Sequence, residues 1–283
     1  MSSLPPDLAA ALSHHAARLL PFGGQIVFHP VVTSTNDTAA NLAAAGAPDG
    51  TLVLAEAQTE GRGRSGRRWH SPAGRGLYLS AVLRPGSAGS TTAAARSWPS
   101  LLTMAAGVAV AEGLRSAAGL PVQIKWPNDV VAVDAAAPPP AHRVWRKLAG
   151  ILAEGSFRGG AIDHIILGIG VNLRRAVLPT DLVPRATSLE DETGRAPDRA
   201  LVLVEILAAL TRRYREVTEG ETQVLLRDWR ALSPLAEGAR VSFDAAGERR
   251  EGITAGIDEQ GALLVRSAEG QVTALRAGEV TWT

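Results

Sequence analysis

The chain has 283 residues, with 29 basic and 28 acidic side chains and 46% hydrophobic residues. That length holds one large and one small domain, the apolar content excludes a disordered chain, and a net charge of +1 excludes bulk attraction to nucleic acid or membrane. With no cysteine, disulfides, a thiol nucleophile and cysteine-ligated zinc are excluded, which fits a reducing cytoplasm.

The elements follow in chain order. Residues 7–20 read as a short amphipathic helix; with Asp7, His14, His15 and Arg18 among alanines, they lack the basic start and apolar run of a signal peptide. Residues 25–32 are β-branched and apolar, a strand. Ser34-Thr35-Asn36 opens a helix that Gly46 stops. Residues 51–58 form a strand, 59–76 a long loop rich in Gly and Arg, 77–83 a strand and 86–90 a flexible link. A helical pattern covers 98–118. Its longest nearly unbroken apolar stretch, 101–111, is shorter than the ~20 residues of a membrane span.

Strands are expected at 122–126 and 130–133. The segment 134–146 contains three consecutive prolines, which cannot donate to a ladder, and reads as an exposed excursion. Strands follow at 147–156 and 164–173, then a polar loop at 174–185. Thr187-Ser188-Leu189-Glu190 has the form of a capping box, and helices cover 198–217 and 222–232. After Pro234 the texture changes to five short strands in about 50 residues, at 240–244, 250–257, 262–266, 272–276 and 279–282, with turns at 245–247, 258–261 and 268–270. This spacing predicts a small barrel with its own core.

Composition marks out a few positions. The chain has two lysines, Lys125 and Lys147, against 27 arginines, and four asparagines, Asn36, Asn41, Asn128 and Asn172. A lysine kept in so arginine-rich a chain points to a place where a compact ammonium is needed and a planar guanidinium does not fit. Both lysines also sit in apolar surroundings, in Ile124-Lys125-Trp126-Pro127-Asn128-Asp129 and Lys147-Leu148-Ala149-Gly150-Ile151-Leu152. From 61 to 111 there are seven arginines and no acid, a local field that suits an anionic ligand.

Gly61-Arg62-Gly63-Arg64-Ser65-Gly66 matches G-x-G-x-x-G literally. A dinucleotide fold needs a helix directly after the glycines and an acid ~20 residues on. Here Arg67-Arg68-Trp69-His70-Ser71-Pro72 follows, and no acid comes before Glu112. A kinase glycine loop fails too, for want of His-Arg-Asp and Asp-Phe-Gly. What survives is a loop whose glycines admit an anion to the backbone and whose arginines offer forked donors; the plainer alternative is a solvated basic or RNA-binding segment. In Trp126-Pro127-Asn128-Asp129 the composition suits a turn. Gly168-Ile169-Gly170-Val171-Asn172 reads as a bulge or as backbone pressed against a ligand. Ser34-Thr35-Asn36 serves equally as a helix cap.

Together these segments resemble biotin–protein ligase. The resemblance rests on Ser34-Thr35-Asn36, on 58–67 beginning Gln58-Thr59-Glu60-Gly61, on Lys125-Trp126-Pro127-Asn128-Asp129, on 147–154 and on Gly168 to Leu173, all in order across most of the first 230 residues. Both lysines and three of the four asparagines fall inside it. It implies an α+β fold: a mixed-sheet catalytic domain of the biotin/lipoate ligase type over 1–233, and a small SH3-like C-terminal β-barrel over 234–283. Only 33 residues precede Ser34, so the form without an N-terminal DNA-binding domain is expected. Asp37 stands where a longer polar residue such as Gln occurs in relatives, and the proline-rich insertion enlarges one loop.

The resemblance also implies the reaction. Biotin's carboxylate attacks the α-phosphorus of ATP, and a lysine of a biotin carboxyl carrier domain, part of a biotin-dependent carboxylase, then takes the acyl group. The expected partners are biotin, ATP and that carrier domain, with no DNA and no membrane, in the cytoplasm. Magnesium is expected to arrive with ATP, and no tightly bound cofactor is expected. Lys147, Arg64, Lys125 and Asp129 are the expected catalytic residues, Asp129 either as base for the attacking lysine or as orienter of a cation. Ser34, Thr35, Asn36, Gln58, Gly61, Arg62, Gly63, Arg64, Lys147, Gly150, Ile151, Gly168 and Gly170 are expected around biotin. Arg62, Arg64, Arg67, Trp69, Lys125, Asn128, Lys147 and Asn172 are expected around ATP, with Trp69 either walling the nucleotide or buried in the core. The alternatives are a lipoate or octanoate ligase of the same fold and, in another class, a nucleic-acid-binding protein using the arginine-rich loop.

Overall fold

Apolar residues at strand spacing build two sheets. The computed structural model describes residues 2–84, 93–133, 145–159, 161–245, 248–276, 278 and 280–282. The expected link at 86–90, residues 134–144 of the proline-rich excursion and residues 246–247 of the 245–247 turn lie outside these. The first sheet is mixed. It comprises β1 (Ile26–Val32), β2 (Leu52–Gln58), β3 (Gly76–Leu83), β4 (Gln123–Lys125), β5 (Asp129–Val133), β6 (Trp145–Arg158) and β7 (Ala161–Asn172), in the order β1-β2-β3-β7-β6-β5-β4. Only the β1–β2 pair runs parallel among the described ladders of this sheet, joined by the crossover helix α2 (Thr35–Ala44).

Alternation along the central strands assigns the two faces. In β7, Ile165, Leu167, Ile169 and Val171 enter the main core with α3 (Ala93–Ala118) and α5 (Arg199–Thr218). Ile166 points the other way, onto Ala39 and Ala43 of α2. Gly168 and Gly170 continue that second face beyond the start of α2, and their missing side chains make room for the Asn36 amide and the Trp69 indole that lie over them. The candidate site is built on this face.

α3 explains an apparent membrane signal. Residues Trp98–Ala118 are long and apolar enough to cross a bilayer, a longer window than the 101–111 read from the sequence. Most of that length is buried against the sheet and α5, so its apolar character has a partner within the fold.

Two expected helix details shift. The helix read over 7–20 divides into α1 (Pro6–His14) and a single 3₁₀ turn (Ala16–Arg18). The capping box moves by one residue: the N-cap of α4 (Leu189–Thr193) is Ser188, whose Oγ accepts from Asp191 N at 3.1 Å, while Thr187 Oγ1 donates to Glu192. Glu190 instead accepts from Arg175 N at 2.8 Å, holding the start of the 174–185 loop.

After α6 (Thr222–Leu232) come β8 (Glu237–Ala245), β9 (Glu248–Ile257), β10 (Leu263–Arg266), β11 (Val272–Leu275) and β12 (Val280–Trp282). They form a separate antiparallel sheet in the order β11-β10-β9-β8-β12. The five expected strands are present, but among the described residues no ladder joins β11 to β12, so hydrogen bonding does not close a barrel. Val241, Phe243, Leu263 and Val265 belong to the same apolar cluster as α3 and α6. Polar ties cross to the first unit: Trp126 Nε1 donates to Gly261 O at 3.1 Å, and Arg230 donates to Ile257 O at 3.1 Å. Gly261 has φ +82°, and a Cβ there would fall 2.5 Å from Met104 Sδ, so that contact requires glycine.

Candidate active site

The first turn of α2 supplies one end of the site. Ser34 stands at the N-cap position, buried, with its carbonyl accepting from Thr38 and no capping bond from its side chain. Thr35 N donates to Gln58 Oε1 at 2.8 Å, and Thr35 Oγ1 lies 3.1 Å from the same oxygen. Gln58 Nε2 donates to Ser71 Oγ at 2.8 Å. Asn36 Nδ2 donates to Glu154 at 2.6 Å, and Ser80 Oγ lies 2.6 Å from Asn36 Oδ1. The four polar residues expected together are therefore together, and Ser71, Ser80 and Glu154 join them.

β6 and β7 provide the floor. Regular alternation would put Lys147 on the same face as Ala149 and Ile151, in the core. A bulge intervenes: Val130 pairs with Ala149 and Val131 with Lys147, leaving Leu148 as the extra residue. Leu148 and Ala149 both bury in the core, and Lys147 turns to the open face, where its Cε and Nζ lie about 3 Å from the Cβ position of Gly150. A bulge that re-aims one side chain is the device a functional strand uses. Ile151 corrects an expectation: its side chain points into the core, so Leu152 lines the site instead.

Lys147 Nζ pairs with Asp129 Oδ1 at 2.6 Å and lies 5.2 Å from the Trp69 ring centroid. The Trp69 indole rests on Gly150 and Gly170; a Cβ at Gly170 would fall 2.5 Å from its Nε1. Trp69 is half-buried and outside the core clusters, on the open face of the sheet. Lys125 lies one register step away, opposite Asp129. Burial, with Lys147 and Arg185 nearby, holds its ammonium below the usual lysine range against the pull of Asp129. Asn128 is engaged by β6: its Nδ2 donates to Ile151 O at 2.7 Å and its carbonyl accepts from Ile151 N at 3.0 Å. Asn172 Nδ2 donates to Thr187 O at 3.0 Å, tying the end of β7 to the strand entry at Lys147.

The glycine–arginine loop closes on itself. Gly63 N donates to Arg67 O, Trp69 N to Gly61 O and Arg67 N to Arg64 O. Gly66 has φ +73°, and Ser65 also adopts a left-handed φ, of 54°, that side chains other than glycine rarely take. Gly61 is obligatory, because a Cβ would fall 2.5 Å from Trp69 O. The expected open cradle of N–H groups is thus partly consumed inside the loop at Gly63 and Arg67. Arg62 bridges Asp37 at 2.9 Å and Glu154 at 2.8 Å, so its charge is balanced at the site's edge. Asp37, noted in the sequence as a departure from the resemblance, is one of the two carboxylates that accept this arginine. Asp37, Glu60, Leu152 and Glu154 join residues 61–68 around an open depression of about 610 Å³.

Sequence reasoning missed Glu154, Ser80 and Ser71. Glu154 was legible in principle, two and four residues beyond Leu152 and Gly150 on the same strand face. Ser80 and Ser71 carry no local signal, since their importance comes from pairing across the sheet. Among the described residues no cluster of three or more His, Asp or Glu side chains forms a ready cation site.

Comparison with known proteins gives the same picture. Residues 28–172, half of the chain, match the biotin/lipoate A/B protein ligase family. The bifunctional ligase/repressor BirA of Bacillus subtilis is 36% identical over 251 residues, covering 88% of this chain and 71% of that protein. A biotin–[acetyl-CoA-carboxylase] ligase of Mycobacterium tuberculosis is 36% identical over 258 residues, covering 88% and 87%. The structure of a biotin protein ligase from Aquifex aeolicus in complex with biotin and ATP superimposes with a TM-score of 0.73 at 28% identity, covering 92% and 98%. These matches place the chain in the biotin/lipoate A/B protein ligase family.

Proposed function

We propose that the chain is a biotin–protein ligase, activating biotin with ATP and passing it to a protein lysine. The observation that carries this reading is one sheet face with a polar cluster at one end (Thr35, Asn36, Gln58) and the re-aimed Lys147 at the other, with the Trp69 indole over Gly150 and Gly170 between them. A small ring with polar edges fits the cluster, and an apolar chain ending in a carboxylate fits an aromatic wall that leads to Lys147.

In the first step a carboxylate oxygen bonds to the α-phosphorus of ATP, the α–β bridging bond breaks and pyrophosphate leaves. Two anions must meet, so countercharge supplies much of the catalysis. We assign Lys147 to the carboxylate and α-phosphoryl oxygens and Lys125 to the polyphosphate as a point charge. Arg64 and Arg67 line the depression and are assigned to the nucleotide. Arg62, held between Asp37 and Glu154, is assigned to loop closure more than to phosphate. Magnesium enters as part of the ATP complex. In the second step the acceptor amine attacks the acyl carbon, an amide forms and AMP leaves. Asp129, 2.6 Å from Lys147 Nζ, holds that ammonium in place and is positioned to take the amine's proton.

We further propose that the acceptor is a biotin carboxyl carrier domain of a carboxylase, that the catalytic unit ends near Ser233 with the C-terminal sheet as a second domain, and that the protein works in the cytoplasm. The test is to incubate the protein with MgATP, biotin and such a carrier domain, and to measure intact mass and nucleotide products. One biotinyl group on one lysine, with equal AMP and pyrophosphate, is expected. A lipoyl or octanoyl adduct in place of biotinyl, when those acids are supplied together, contradicts the reading.

A further inference from the structure

The side-chain amide of Asn36 has a donor end and an acceptor end, and its surroundings fix which is which. Nδ2 lies 2.6 Å from Glu154 Oε2, a carboxylate oxygen that only accepts, so the nitrogen faces it. Oδ1 lies 2.6 Å from Ser80 Oγ and has no hydrogen, so the Ser80 hydroxyl donates to it. The same hydroxyl lies 2.8 Å from Thr35 Oγ1; with its one hydrogen committed to Asn36, it accepts the single Thr35 hydroxyl hydrogen, and Gln58 Oε1 is left with its bond from Thr35 N. Ser80 is fully buried and Asn36 is 4% exposed, so neither turns to water. Gly168, paired opposite Ser80, makes the room: a Cβ there would fall 2.3 Å from Asn36 Oδ1. Turning the amide over would set its carbonyl oxygen against the Glu154 carboxylate, acceptor against acceptor.

We propose that Ser80 and Glu154 are positioning residues that set the hydrogen-bond polarity of the site. They hold Asn36 with its remaining Nδ2 hydrogen as a donor, so that the site selects an acid whose ring carries a carbonyl oxygen. This rests on the biotin reading and deepens it: a cyclic urea presents such an oxygen, and a dithiolane ring does not. Glu154 also accepts from Arg62, so the carboxylate that orients the amide holds the glycine loop as well.

2-Iminobiotin, in which a guanidinium replaces the ureido group, puts N–H donors where biotin has its carbonyl oxygen. Pyrophosphate exchange driven by each acid reads the preference. Glu154→Gln frees the amide to turn, because Gln donates to Oδ1 and Ser80 then accepts from Nδ2. The biotin to 2-iminobiotin ratio of kcat/KM is expected to fall about tenfold, through the KM of the acids and with the KM for ATP unchanged. Ser80→Ala strands Asn36 Oδ1 and is expected to raise the biotin KM about tenfold. Asp37→Asn loosens Arg62 without touching the amide and is expected to keep the wild-type ratio. Glu154 is partly exposed and Gln is isosteric with it, so that variant folds, and a thermal melt verifies this. Wild-type exchange with biotin, together with an unchanged ratio in Glu154→Gln and an unchanged biotin KM in Ser80→Ala, overturns the polarity proposal and leaves the ligase reading standing. Absence of biotin-dependent exchange in the wild type overturns both.

Discussion

The two lysines do different work because their surroundings differ. Lys147 has Asp129 at 2.6 Å and the face of Trp69 beneath it, which hold the ammonium in place. Lys125 is held below the usual lysine range, first by burial and then by Lys147 and Arg185. Its proton is therefore lost at a lower pH than that of an ordinary lysine, and a bound polyphosphate favours the protonated form. The sign follows: ATP binds best below the lowered pKa of Lys125, and the KM for ATP rises as pH climbs through it. Lys125→Arg, which stays charged, is expected to flatten that rise, whatever it does to absolute rates. Superimposable KM–pH profiles for the two proteins would contradict this role. At this scale composition singled out two positions. Lysines kept in an arginine-rich chain marked Lys125 and Lys147 before any fold was known, whereas Asn36, Asn128 and Asn172 stood apart from the equally scarce Asn41 only through the resemblance. Individual tasks were less legible: Asn128, expected near phosphate, donates to the backbone of β6, a bond between residues 23 positions apart that no local pattern encodes.

Strands β6 and β7 show what a period of two can and cannot tell. Alternation placed Ile165, Leu167 and Ile169 in the core and left Gly168 and Gly170 on the other face. The same rule sends Lys147 inward, and only the bulge at Leu148 corrects it. A bulge is decided by the fit of the partner strand, here β5, so it is not written in the sequence of β6 alone. The misplaced Ile151 has another origin: residues of the 147–152 run were read as one lining surface, although alternation alone sends Ile151 into the core. Gly168 tests whether the placement of the Asn36 amide matters for the acid. With Asn36 Oδ1 2.3 Å from its Cβ position, Gly168→Ala must displace the Asn36 amide. A folded enzyme with a biotin KM raised about tenfold or more and a smaller change in the KM for ATP is expected. Steady-state kinetics with each substrate varied in turn checks this, and equal changes in both would place the glycine's role elsewhere.

The main apolar cluster runs from the first sheet through α3, α5 and α6 into the C-terminal sheet, with a smaller one beneath α2. Across the helical layer a buried Arg213 gathers Glu112, Glu216 and Asp228 from three helices. Removing the arginine leaves three carboxylates facing each other, so Arg213→Met is expected to cost about 3 kcal/mol at neutral pH, the low end for a broken buried pair because the carboxylates keep some water. Part of that loss should return at low pH, where the carboxyls protonate. Denaturant titrations at two pH values measure both effects, and an unchanged midpoint at neutral pH would show that the cluster contributes nothing. The fold at this scale was legible in outline: the order of elements, the change of texture after Pro234 and the five short strands all appear. Closure of a barrel was not, because it depends on whether the outermost strands meet, and β11 and β12 share no ladder among the described residues. The Trp126–Gly261 bond was invisible for the same reason, joining residues 135 positions apart. It sets the C-terminal sheet directly against the turn that carries Asn128 and Asp129.

The central claim is that this sheet face activates biotin as an acyl adenylate with Lys147 as its countercharge. Isotope exchange between labelled pyrophosphate and ATP, measured with biotin, lipoate or octanoate in parallel and with Lys147→Ala beside the wild type, tests it most directly. Exchange with biotin alone, lost in the lysine variant while its fold is kept, is the predicted result. Exchange supported by lipoate or octanoate instead, or undiminished in Lys147→Ala, would contradict it.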